Sequence, residues 1–125
     1  MKNLFVPYKI AVIAKEKGFN ERPEFGMETS LYDKNKEHTF YANYGVMFSD
    51  LDEGYIYAPL YAQVVDWFRT KHKIIIGVTY MYEDKDLWIA DIVEIKNKYL
   101  TTQLESQPTY YMSLKDALLF AFNLI

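Results

Sequence analysis

The stretch IIIGVTYMYEDKDLWIADIVEI, Ile74–Ile95, decides the fold. Two runs rich in β-branched and aromatic residues flank EDKD, a plausible four-residue turn. This pattern predicts a β-hairpin over 74–82 and 87–95. Pairing Tyr82 with Leu87 puts Ile74, Ile76, Val78, Tyr80, Tyr82, Leu87, Ile89, Asp91, Val93 and Ile95 on one face. The opposite face carries Ile75, Gly77, Thr79, Met81, Trp88, Ala90, Ile92 and Glu94. The first face is the better core. The second is not properly polar, so partial cover is expected there too.

That register makes Asp91 the one carboxylate on the apolar face. A desolvated carboxylate has a raised pKa, which is how functional acids are made. Asp91 is therefore the candidate buried carboxylate. The plainer readings are a register off by one, a satisfying hydroxyl or N–H, or an open sheet end, and they weigh more.

Working outward, APLYAQVVDWFRTKHK (Ala58–Lys73) precedes the hairpin and predicts a helix over about 59–72. Pro59 marks its first turn. Leu60, Tyr61, Val64, Val65, Trp67 and Phe68 share one side at helical spacing, wide enough to face a core. Burying Trp67 or Phe68 contributes roughly 2–3 kcal/mol each. The basic end complements the negative end of the helix dipole. Asp66, in the middle of the polar face, argues against nucleic-acid recognition there.

A first helix is expected over 7–17, started by Pro7, stapled by Phe5 and Ile10, and stopped by Gly18 with Phe19 folding back. Short strands are expected near Met27–Tyr32, in HTFYANYGVMF (38–48) and at YIY (55–57), with another near Tyr99–Gln103. A last helix over 114–124 follows Ser113, with Asp116 completing an approximate capping box. Leu114, Ala117, Leu118, Ala121, Leu124 and Ile125 form its core stripe. The layout is α+β: one domain, 1–125, of three helices on a mainly antiparallel sheet. Two Pro-started helices, each followed by β-like sequence, hint at a duplication.

The motifs of common chemistries are absent. SDLDEG is an acidic turn rather than a calcium loop: counted from Asp50, the required Gly and Glu positions hold Gly54 one place early and Tyr61. No Gly-rich phosphate loop, nucleophile elbow or zinc helix motif occurs. The chain has no cysteine, which excludes disulfides and thiolate ligands. His38 and His72 lie too far apart for a short metal-ligand spacing. A net charge of −3 argues against a general grip on nucleic acid. No signal peptide or membrane span is evident, so a cytoplasmic protein with no membrane partner is expected.

Two regions suggest contact with a partner. In the last helix Leu119 lies between Lys115 and Asn123 on the side expected to be wet, with Phe120 and Phe122 on its flanks. An apolar residue amid polar ones points to a second contact, within the fold or with another chain. The chain also has 12 tyrosines, and Tyr41, Tyr44, Tyr55, Tyr57 and Tyr61 gather around the start of the second helix. Tyr suits contact surfaces because its ring is apolar and its hydroxyl can stay wet. Packing on short strands is the plainer reading of each.

IAVIAKEKGFNE (10–21), APLYAQVVDWFRTKH (58–72) and YYMSLKDALLFAFNLI (110–125), about a third of the chain, occur in this order in a family that the chain resembles. It comprises small uncharacterised proteins of gut Bacteroidetes and their tailed phages, crAss-like phages included. The resemblance implies an origin and carries over no activity, cofactor or catalytic residue. The chain departs from the family in its greasier last helix, at Leu119, Phe120 and Phe122, which supports an added contact. It also varies after Gly18, where Arg22 and Glu24 flank Pro23.

The expectation is a non-enzymatic phage or mobile-element accessory protein, without cofactor or metal, that binds a protein partner or a second copy of itself. A binder of a nucleotide or metabolite is the alternative.

Overall fold

The computed structural model describes residues 4–19, 28–33, 35–42, 56–81 and 86–125, with the side chains of 28–30 and 39–42 left undescribed. The fold is α+β, with helices and antiparallel sheets. The chain forms two compact units, Met1–Tyr61 and Ala62–Ile125.

The first unit holds α1 (Tyr8–Glu16) and the strands β1 (Glu28–Tyr32), β2 (His38–Ala42) and β3 (Ile56–Tyr57). Pro7 is the N-cap of α1 rather than its first residue. The staple positions therefore move by one, to Val6 and Ala11, both buried. Phe5 instead bridges Leu60. The stop is a full Schellman motif. Gly18 has φ +95, the Phe19 N–H donates to the Ala14 carbonyl (2.9 Å) and the Gly18 N–H to that of Lys15 (3.2 Å).

β1 lies between β2 and β3, antiparallel to both. Asp33 organises the β1–β2 turn by accepting from the N–H groups of Asn35 (2.8 Å) and Glu37 (3.0 Å). The unit's buried residues include Val6, Ile10, Ala11, Ala14, Phe19, Leu31 and Ala58. The Tyr32 hydroxyl donates to the Val6 carbonyl (2.6 Å), and burial pushes this phenol above its ordinary value of 10.0.

The second unit contains most of α2 (Tyr61–Trp67), then a π-helical turn (Phe68–His72), β4 (Ile74–Met81), β5 (Leu87–Glu94), a 3₁₀ turn (Ile95–Asn97), β6 (Leu100–Gln103) and α3 (Tyr110–Asn123). Pro59 lies ahead of α2, and its carbonyl accepts from the Val6 N–H (2.9 Å). The Thr70 hydroxyl donates to the Asp66 carbonyl (3.0 Å), the acceptor an α-helical Thr70 N–H would use. The widened turn ends at Lys73, which is left-handed at φ 56 and whose N–H reaches Phe68 O.

β4, β5 and β6 form a meander in that order. The sheet of the first unit has its first strand in the centre, so the two units do not repeat one topology.

The hairpin pairs Met81, not Tyr82, with Leu87. This one-residue slip exchanges the faces of β5. Ile74, Ile76, Val78 and Tyr80 share a face with Glu94, Ile92, Ala90 and Trp88. Ile74, Ile76, Ala90 and Ile92 are buried, and α3 packs against β4 and β5. Buried Val64, Trp67, Phe68, Leu114, Ala117, Leu118, Ala121 and Phe122 supply the rest of the core.

α3 begins four residues earlier than the sequence suggested. Thr109, not Ser113, is its N-cap, and the Thr109 hydroxyl accepts from the Met112 N–H (3.1 Å). Ser113 is instead buried inside the helix, and its hydroxyl has no hydrogen-bond partner. The fixed backbone at Gly18 gives a direct test. Gly18→Ala should destabilise the protein by about 1 kcal/mol, because alanine resists the left-handed region. Chemical denaturation should show a lower midpoint with an unchanged slope.

Candidate functional site: an aromatic series on the second unit

The register brings four aromatic residues together. Tyr80 and Trp88 are direct cross-strand partners, with ring centroids 4.9 Å apart. Trp88 meets Tyr110 edge-on at 5.4 Å, and Tyr110 meets Tyr111 edge-on at 5.1 Å. These are favourable aromatic geometries. The core face of the hairpin thus ends in a layer of half-buried rings instead of aliphatic side chains.

The backbone holds the series in place. Trp88 and Gln107 exchange two hydrogen bonds of 2.8 Å, which fixes the chain just before α3. The Gln107 side-chain amide donates to Asp116 on α3, and the Thr109 cap completes the turn. The Tyr80 hydroxyl donates to Asp86. Tyr110 is 38% exposed and Met112 46%, so the series opens to the surface at the start of α3. Met112 and Leu119 are seven residues apart and lie on one side of the helix.

Composition alone did not point to this site. Its signal was present as aromatic residues on both sides of the hairpin turn, YMY and LW, with the doublet TYYM before the last helix. Only the register and the Trp88–Gln107 bridge join these segments.

The residues expected to form a site are placed differently. Phe122 is a correction: it is 1% exposed and packs its ring against Phe68 at 4.8 Å and Trp67 at 6.2 Å. The core stripe of α3 is wide enough to include it. Leu119 and Phe120 are half-buried. Tyr57 is half-buried and stacks on Phe19 with centroids 6.4 Å apart. Tyr41 pairs with Thr29 through the backbone, but its side chain lies outside the described residues, as do Tyr44 and Tyr55 altogether.

Asp91 is also corrected. The true register puts it opposite Gly77 on the other face of the sheet. It is only part-buried and accepts from the Gln103 side-chain amide (3.2 Å). Among the described residues no group of three or more His, Asp or Glu could hold a metal ion.

The basic π-helical turn after α2 is partly neutralised, since Arg69 pairs with Asp66. Both side chains are more than half exposed, so the pair adds little stability. His72 lies edge-on to Trp67 at 4.6 Å. Desolvation, then the charges of Lys96 and Lys71, hold its pKa below the ordinary 6.5.

No family model, curated protein or solved structure matches the chain. No helix among the described residues is long and apolar enough to cross a membrane.

Two measurements test this placement. Phe122→Ala should cost about 3–5 kcal/mol, as for a core ring, whereas a surface ring would cost far less. For His72 the unfolded chain binds a proton that the folded chain resists. Its contribution is complete above the unfolded value of 6.5 and is lost as pH falls through that value toward the lower folded one. Melting temperature should therefore fall between about pH 7.5 and pH 5.5, and less steeply in His72→Gln.

Proposed function

We propose that the chain is a non-enzymatic accessory protein, of phage or mobile-element origin, that acts by protein–protein contact through the second unit. The observation that carries this reading is the Tyr80–Trp88–Tyr110–Tyr111 series with exposed Met112 beside it. Aromatic and methionine side chains are enriched where proteins bind one another, because they offer large apolar area with few competing charges. Leu119 extends the contact along α3.

Asp86 lies beside Tyr80 and Asp116 beside Gln107. Rings flanked by carboxylates suit a partner that presents arginine or lysine with apolar neighbours. A nucleotide or metabolite could stack on the same rings, so the two readings separate by the mass of what is bound.

Native mass spectrometry of protein purified gently from its host should show a bound polypeptide of a mass different from the chain's own. Met112→Lys with Leu119→Lys should remove it while melting temperature changes little, since Met112 is exposed and Leu119 half-buried. An added mass of a few hundred daltons in place of a polypeptide would replace this reading with the small-molecule one. Loss of folding in the double variant would assign these residues to the core.

A further inference from the structure

The second unit carries a sheet edge that pairs with no strand among the described residues. β4 is an edge strand of the β4–β5–β6 sheet, and no strand lies on its other side among the described residues. The Ile95 N–H donates to the Lys73 carbonyl (3.0 Å). Antiparallel strands alternate, so Ile75, Gly77, Thr79 and Met81 also exchange bonds with β5. Ile76 and Val78 therefore direct their N–H and C=O groups to the open edge. The β5–β6 ladder agrees, because Ala90 accepts from the Leu104 N–H (3.0 Å).

Natural sheets blunt such edges with lysine, proline, bulges or very short strands. β4 has none of these. It is eight residues long, IIIGVTYM, without a charge or proline, and it pairs with β5 without a bulge. Ile75, on the outer face, is 41% exposed.

Gly77 sits in the middle. Glycine weakens a strand and often marks close approach of another backbone. The chain's own packing does not require it: a Cβ there would meet nothing within 4 Å, and its φ is not left-handed.

The charges around β4 are self-complementary under antiparallel pairing. Exposed Lys71 and Lys73 precede it, and exposed Asp86 follows it across the turn. A second copy running antiparallel brings the basic end of each strand toward the acidic end of the other.

We infer that the chain forms a twofold homodimer by pairing β4 with β4 of a second copy, giving one continuous six-stranded sheet. The axis passes through Gly77, where facing Cα atoms approach to about 4.5 Å. Ile76 of each copy exchanges hydrogen bonds with Val78 of the other, so the outward groups at the centre satisfy one another. Ile75 faces the second copy's Thr79 on the outer side. The inference rests on backbone geometry and is independent of the aromatic contact.

The test uses two double variants at these exposed positions, with sedimentation equilibrium over a range of concentrations. The unaltered chain should be dimeric. Ile75→Lys with Thr79→Lys sets like charges opposite each other twice and should weaken the dimer at least about tenfold. Ile75→Lys with Thr79→Glu sets opposite charges there and should restore it. Circular dichroism checks that both variants fold. A monomeric unaltered chain overturns the inference, as does a Lys–Lys variant that dimerises normally. Failure of the Lys–Glu variant to dimerise while folded overturns the register. Met112→Lys with Leu119→Lys should leave the dimer intact, so loss of the aromatic contact is read separately.

Discussion

The pairing of Met81 with Leu87 is the constraint on which the second unit depends. A strand has a side-chain period of two, so this pairing sorts every residue of the hairpin between core and outer face at once. It sends Ala90 and Ile92 under α3 and turns Asp91 away. It also makes Trp88 the partner of Tyr80. The aliphatic rows then end in a layer of rings, and α3 must start where Tyr110 can meet Trp88. The Thr109 cap and the Trp88–Gln107 bridge follow from the same geometry.

Much of the fold was legible because the signals were local. Gly18 stops α1 through its backbone freedom. The hairpin, the β6 segment and the apolar stripe of α3 appear from composition and period alone. The register was not legible because both faces of β4 and β5 carry apolar residues. When neither face is plainly polar, a one-residue shift changes few hydrophobic contacts in the sequence pattern. The corresponding change in loop length costs little entropy. Packing of α3 then decides, and that is a non-local fact.

The same limit explains the cap of α3. Ser113 and Thr109 are both good capping residues, and only Ser113 is followed three places on by an acid. What favours Thr109 is the bridge from Gln107 to Trp88, nineteen positions back along the chain. The candidate site shared this difficulty. Tyr80, Trp88 and Tyr110 come from three segments, so no window of sequence contains them. Phe122 was misplaced for a different reason: its position on the edge of the helix stripe becomes core when Trp67 and Phe68 reach it.

Several of the described carboxylates are engaged in structure. Asp33 holds a turn, Asp66 pairs with Arg69, Asp91 takes Gln103 and Asp116 takes Gln107. Exposed ring surface at Tyr110 and the edge of β4 are the two features of the second unit that the proposed contacts would use. The two are also geometrically related. In a twofold sheet the core faces of both copies lie on the same side, so both α3 helices do as well. Each copy's Tyr80 then stands toward the second copy's Ile74, and the two aromatic series open at opposite ends of the seam. A partner with two matching sites would meet both at once, and its second contact would be intramolecular. Modest affinity at each series would then suffice for stable binding, which accords with a site made of half-buried rings rather than a deep pocket.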